Sequence, residues 1–211
     1  MSHAQFEIFS NQAVAACAVL YFLVFVAQLV AFVTRPRAAD VVGSSASAVS
    51  SVDAPSNGGD GSVAVAAPPV TGGNAEKSDL WGRIALALTV VAALVHLSAL
   101  VSRGLAADPV RVPWGNMYEF TLTVSFVVVA LYLVMYKRFA LAWLAPVVSL
   151  FVLSVLMVDV LVLYEPVTPL RDALQSPWLV IHVVAAITAT GAFTMGGMCS
   201  VLYLVKERAL A

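Results

Sequence analysis

The sequence VPWGNMYEF, at residues 112–120, brings an amide, a phenol and a carboxylate together beside long apolar stretches. Asn116 is a good helix N-cap, and Glu119 three positions later can bond back to the backbone of the cap. Trp114 and Tyr118 are typical of the aromatic belt at a membrane interface. The pattern therefore indicates the start of a helix. It also leaves the carboxylate of Glu119 near bilayer depth, which is costly unless a partner satisfies it.

Three further ionisable residues lie inside apolar segments. An intramembrane histidine is a candidate for function, and His96 and His182 both meet that description. One hydrogen bond to a neighbouring helix would satisfy either imidazole, so a structural and a functional interpretation both stay open. Asp159 is the third such residue, and we expect it to form an ion pair with Arg171 or Arg111.

The composition indicates that membrane helices must position these side chains. The chain has 211 residues, of which 61% are hydrophobic and 11% charged, whereas a soluble domain has about 25% charged residues. The formal net charge of −1 gives no basis for nucleic-acid binding. The two cysteines have no metal-binding spacing. These features predict an all-α integral membrane protein in contact with the lipid bilayer.

Five segments are long enough to cross a bilayer, which takes about 20 apolar residues. They are residues 13–33, 84–101, 117–136, 141–163 and 178–205. The first helix belongs to an amino-terminal part, residues 1–37. Residues 38–79 are rich in Gly, Ser, Ala and Pro, and we predict a flexible, disordered cytoplasmic linker there. Residues 80–211 form a four-helix membrane part, in which YKRFA joins the third and fourth helices as a tight antiparallel hairpin.

The basic residues favour one orientation in the cytoplasmic membrane. With the amino terminus outside, the cytoplasmic side carries eight Lys and Arg residues and the outer side carries three. The cytoplasmic set is Arg35, Arg37, Lys77, Arg83, Lys137, Arg138, Lys206 and Arg208, and the outer set is Arg103, Arg111 and Arg171. We therefore predict a multi-pass protein with its amino terminus outside and its carboxyl terminus inside.

This topology places His96 and His182 at similar depths. His96 lies about 9 Å before the polar exit of its helix, and His182 follows Trp178, at the outer entrance of the fifth helix, by four residues. Two neutral imidazoles from separate helices are suitable axial ligands for haem iron. The sequence therefore suggests a haem site at His182, His96 and Trp178, with His182 as an iron ligand. Small residues continue that face of the fifth helix, and they would accept a flat macrocycle or a neighbouring helix: Ala186, Ala189 and Thr190.

Two motifs carry a family resemblance. The run HLSALVSRGLAADPVRVPWGNMYEF, residues 96–120, resembles the histidine, arginine, proline and N-x-Y-E signature of cytochrome c assembly proteins of the CcsA/ResC type, known in actinobacteria as CcsB. The run SPWLVIH, residues 176–182, resembles the W-L-x-x-H helix of the same family. Together the likeness covers about residues 81–211.

The resemblance implies a membrane component of system II c-type cytochrome biogenesis. Such a protein binds or handles haem for attachment to apocytochrome c at the outer face, with a ResB-type membrane protein as partner. The resemblance further implies that His182 ligates haem. It also implies that an outer-face motif is formed by Trp114, Asn116, Tyr118 and Glu119.

One departure from the family pattern concerns its tryptophan-rich "WWD" region, which does not occur in this sequence. We therefore expect a truncated form or a fragment that does not attach haem alone. No catalytic residue is identified, and whether the chain is an enzyme stays open. The alternative interpretation is a small membrane anchor or transporter subunit with a proton, quinone or haem b site.

Overall fold

The computed structural model describes residues 2–34, 73–168 and 176–210, and this part of the chain is helical without strands. The helices are α1 (His3–Val33), α2 (Gly73–Ala106), α3 (Met117–Tyr136), α4 (Ala145–Val158) and α5 (Pro177–Leu210). A 3-10 turn, Leu141–Trp143, precedes α4, and a π-helical segment, Asp159–Leu163, continues it. Within these residues, five helices are long and apolar enough to cross a membrane. The predicted all-α fold with five membrane-spanning helices is confirmed.

The helix ends differ from the predicted ones where polar residues extend a helix beyond its apolar centre. α1 begins at His3, because Ser2 and Gln5 form a reciprocal capping box at its first turn. α2 begins at Gly73, so the last residues of the predicted linker, 73–79, are helical. The remainder of that linker lies outside the described residues. The third helix occupies residues 117–136 as predicted.

The core is built where α1 packs along α2 and where α3 and α4 close over them. Small buried side chains let the first two helices approach closely, and Ser10 Oγ donates to the carbonyl of Ala99 across this contact at 2.9 Å. Between α1 and α4, Ser149 Oγ donates to Gln28 Oε1 at 2.6 Å. Each of these polar groups is buried and therefore needs its partner.

The α3–α4 connection is the predicted tight hairpin. It turns at Ala140, which has a φ of 49°, and the two helices pack against each other. α5 packs mainly against α3. That contact is close at Gly191, where an added Cβ would lie 2.8 Å from Val127 Cγ1. Most of the remaining surface of α5 is exposed in the described chain.

Contacts between distant residues show which helix ends meet. Asn11 of α1 donates from Nδ2 to the hydroxyl of Tyr164, just after the π-helical segment, at 2.9 Å. The backbone N–H of Val167 donates to Glu7 Oε1 at 3.2 Å. The start of α1, the end of α2, the start of α3 and the end of the fourth span therefore gather at one end of the bundle. We call it the Glu119 end, after the carboxylate at its centre.

Candidate functional site: a buried charge cluster and an exposed histidine

Glu119 lies buried between two arginines, and we call these three residues the Glu119 cluster. Glu119 Oε1 lies 3.4 Å from Arg103 Nε. Glu119 Oε2 lies 2.7 Å from Arg111 Nη1. The side chains of Arg103 and Glu119 are almost completely inaccessible, at 0% and 1% exposure. The costly carboxylate noted in the sequence is thus satisfied by two cations, and the cluster has a formal charge of +1.

The start of α3 sets the position of this carboxylate. Asn116 is the N-cap, and its Oδ1 accepts from the backbone N–H of Glu119 at 2.8 Å, as predicted. The Glu119 side chain was predicted to accept from the backbone N–H of the cap, Asn116. Instead, Glu119 Oε2 accepts from the backbone N–H of the preceding residue, Gly115, at 2.7 Å. This hydrogen bond orients the carboxylate toward the loop that precedes α3. It therefore meets Arg111 there while it also caps the helix.

Arg103 enters the cluster from the last turn of α2. Its Nη1 donates to Asn11 Oδ1 at 3.3 Å, and its Nη2 donates to the carbonyl of Glu165. The guanidinium also lies over the ring of Tyr118, 4.7 Å from the centroid. One side chain thus joins α1, α2, α3 and the segment that follows the π-helical turn. Charge-assisted hydrogen bonds from this guanidinium therefore link four parts of the chain at this end of the bundle.

Arg111 closes the cluster from the loop between α2 and α3. Its Nη2 donates to the carbonyl of Thr168 at 3.2 Å. The loop approaches α2 so closely that a Cβ on Gly104 would lie 2.6 Å from the Arg111 carbonyl oxygen. A Cβ on Gly115 would lie 2.5 Å from Arg111 Nη1. Gly104 is therefore needed for the loop backbone to lie this close to α2, whereas a side chain at Gly115 would require the tip of Arg111 to shift.

The other members of the predicted outer-face motif surround this cluster. Tyr118 is buried, and its ring packs edge-to-face on Tyr164 with centroids 5.7 Å apart. Trp114 is half-buried in the loop, where its backbone N–H donates to the carbonyl of Val112 at 3.0 Å. Asn116 serves as the cap. The structure thus gathers the motif at one end of the bundle.

Arg103 was not among the residues predicted for this site, although it counted toward the orientation and lies in the run 96–120 that carries the family resemblance. The sequence does contain a signal that could have assigned Arg103 to this site. Arg103 lies seven residues after His96 in an apolar run, which places both side chains on one face of α2. A charged residue on the inward face of a membrane helix requires a partner. That requirement points to Glu119, the acidic residue at the start of the next helix.

His96 is enclosed in the core by α1, α2 and α3. Its Nε2 lies 3.1 Å from the carbonyl oxygen of Leu122, and its Nδ1 lies 3.5 Å from the hydroxyl of Tyr21. Phe126 packs edge-to-face on the ring at 5.6 Å. Both ring nitrogens thus face protein atoms. This geometry favours the structural interpretation that the sequence left open.

His182 has the opposite environment, on an exposed face of α5. Trp178, one turn earlier, is 79% exposed, and Phe193, three turns later, is 80% exposed. Ala189 between them is exposed as well. The sequence predicts similar depths for the two histidines, but in the structure His96 is enclosed and His182 faces outward. The shared haem site of His96 and His182 stays a prediction.

Asp159 is buried at the first position of the π-helical segment. Thr121 Oγ forms a hydrogen bond with Asp159 Oδ1, while Asp159 Oδ2 has no partner among the described residues. The predicted ion pair with Arg111 is not observed, because Arg111 is paired with Glu119. The other predicted partner, Arg171, lies outside the described residues.

Five apolar helices that bury a polar network at one end define a multi-pass membrane protein. Residues 114–211 match the family described as Cytochrome C assembly protein. This region begins at Trp114 and includes α3, α4, α5 and His182. Neither the curated proteins nor the solved structures gave a match. Over this carboxyl-terminal part the chain is similar to cytochrome c assembly proteins.

Proposed function

We propose that this protein is a membrane component of system II c-type cytochrome biogenesis. In this proposal it holds haem through His182 for attachment to apocytochrome c at the outer face of the cytoplasmic membrane. The observation that carries the proposal is the family match over residues 114–211. It covers both the outer-face motif and the helix of His182. A CcsA/ResC-type role with a ResB-type partner is part of the same proposal.

The exposed face of α5 fits one side of a haem. His182 is free to offer a ring nitrogen to iron, and the small residues Ala186 and Ala189 leave room beside it for a flat macrocycle. Trp178 and Phe193 flank this stretch with large apolar surfaces. When bound, haem supplies the iron that the histidine ligates and the macrocycle that is attached to the apocytochrome. The chain supplies the ligand, the orientation and an apolar surface.

The role of His96 in this proposal is to position helices. Ligation by His96 would require its imidazole to leave both the Leu122 carbonyl and the Tyr21 hydroxyl. A buried polar group left without its partner costs about 1–3 kcal/mol. In this proposal His182 would therefore hold the haem iron, and any further ligand would come from outside α2, on a partner protein or on another segment.

The orientation with the amino terminus outside is also a proposal. It is supported by the distribution of Lys and Arg, with eight such residues predicted on the cytoplasmic side and three on the outer side.

The haem assignment can be tested by absorption spectroscopy. We expect the purified protein, loaded with haem in lipid nanodiscs, to show a Soret band that His182→Ala removes. Ile181→Ala is the matched control, because Ile181 is exposed on the same turn, at 61%, but offers no ligand atom. A Soret band of equal intensity and position in His182→Ala would show that the role assigned to this histidine is wrong.

The biological role requires a separate assay. Co-expression with a ResB-type partner and a reporter apocytochrome should yield covalent haem, detected by peroxidase staining after denaturing electrophoresis. We expect the yield to fall with His182→Ala and to persist with Ile181→Ala. If the reporter matures equally well when this chain is omitted, the biogenesis role fails for this partner set.

A further inference from the structure

Asp159 has a side chain that the proposed haem site does not use. It has 0% exposure and lies within a membrane-spanning segment. It also begins the π-helical turn Asp159–Leu163, and such turns occur frequently at functional sites. One carboxyl oxygen contacts Thr121, and the other has no hydrogen-bond partner within the described residues. The chemistry of this group therefore depends on whether it carries a proton.

The hydroxyl of Thr121 has a single hydrogen to share among three oxygens. It lies 2.8 Å from the carbonyl oxygen of Met117 and 3.2 Å from that of Tyr118, and it also contacts Asp159 Oδ1. Donation to the carbonyl four residues earlier is the usual bond of a helical threonine. The contact with Asp159 is then a hydrogen bond only if the aspartic acid is the donor, because a hydroxyl oxygen can accept.

The surrounding charges do not supply a counter-ion for Asp159 among the described residues. Arg103 and Arg111 both direct N–H groups at Glu119 and at backbone carbonyls. The phenols of Tyr118 and Tyr164 also lie at this end. Other titratable groups described there include Glu7, Glu165 and His3, and His3 Nδ1 lies 3.2 Å from the carbonyl oxygen of Leu105. A fully buried carboxylate with one hydrogen bond and no paired cation is strongly disfavoured. The neutral acid avoids that cost.

We propose that Asp159 is a proton-binding site within the membrane-spanning part of this protein. At neutral pH its carboxylic acid donates to Thr121 Oγ, while Thr121 donates to the carbonyl of Met117. Release of the proton changes the net formal charge of Asp159 and the Glu119 cluster together from +1 to 0. Proton binding at Asp159 thus changes the charge of the Glu119 end of the bundle. This site is separate from His182 and does not depend on the proposed haem function.

Infrared spectroscopy of the full chain in nanodiscs at neutral pH tests the proposal directly, because protonated and ionised carboxyl groups absorb at different frequencies. We expect a protonated-carboxyl band that Asp159→Asn removes. Thr121→Val keeps the shape of the side chain but removes the acceptor, so we expect it to shift the band. Glu207→Gln, at an exposed position of α5, is the control for an ionised carboxylate elsewhere in the chain, and the band should persist in it.

Two results would overturn the proposal. In the first, Asp159→Asn removes ionised-carboxylate absorption and leaves the protonated-carboxyl region unchanged. In the second, the wild type has no protonated band and Arg171→Gln gains one, which is the signature of an Asp159–Arg171 ion pair. We expect Arg171→Gln to leave the band unchanged. Repeating the measurement on the His182→Ala background keeps the outcome independent of haem binding.

Discussion

Replacing Glu119 with glutamine should strongly destabilise the helix bundle, because it removes the carboxylate that both arginines share. Glutamine keeps the volume and one acceptor oxygen, so the change is mainly one of charge. Arg103 has no exposure to solvent, and its Nε lies 3.4 Å from the carboxylate. Arg111 is 12% exposed and makes the shorter contact, 2.7 Å. After the substitution the cluster holds two cations and no anion.

The expected loss follows from the burial of these charges. Removing one partner of a buried ion pair costs about 3–5 kcal/mol, since the other charge is left uncompensated. Arg111→Gln is the informative comparison, because it leaves Arg103 and Glu119 as a balanced pair. Losing hydrogen bonds to a charged group costs about 1.5–3 kcal/mol. We therefore expect Glu119→Gln to be the more damaging of the two.

The measurement is reversible unfolding in mixed micelles, followed by circular dichroism. Glu207→Gln makes the same chemical change at an exposed position of α5 and should have little effect. The double variant Arg103→Gln/Glu119→Gln should be more stable than Glu119→Gln alone, because it removes the buried unpaired cation. The electrostatic reasoning is refuted if Glu119→Gln and Glu207→Gln unfold alike, or if the second substitution adds a further loss.

Other substitutions probe the loop, the cap and the core histidine by the same unfolding measurement. Gly104→Ala should destabilise by about 1–3 kcal/mol through overpacking against the Arg111 backbone. Gly82→Ala is the control on the same helix, because nothing lies within 4 Å of the new Cβ, and it should stabilise the protein by up to about 1 kcal/mol through helix propensity. Equal changes in stability for the two variants would contradict the close approach at Gly104. Asn116→Ala should cost about 1 kcal/mol through loss of the N-cap, and an unchanged stability would argue against the cap. His96→Leu should lower stability by about 1–3 kcal/mol without removing the Soret band, whereas loss of that band would favour the ligand interpretation.

Local features of the sequence were sufficient to predict the helices. The five spans follow from uninterrupted apolar length, because a backbone in hydrocarbon must satisfy its own hydrogen bonds and a helix does so within one segment. The start of α3 was predicted at Met117 because Asn116 is an N-cap of local origin. The starts of α1 and α2 were missed, because each helix begins with a polar stretch, from His3 and from Gly73, that hydropathy does not detect.

The motif VPWGNMYEF, residues 112–120, shows that local features could not determine which side chains meet in the folded protein. The partners of Glu119 come from Arg103 on another helix and Arg111 in a loop, and their distance depends on how α2 meets α3. The same limit applies to His96 and His182, which have similar predicted depths but opposite exposure. A membrane helix that is apolar all round does not indicate which face turns inward. The sequence alone therefore determined the spans, the cap and the candidate residues, and only the packing of the helices decided which charges meet and which histidine is free.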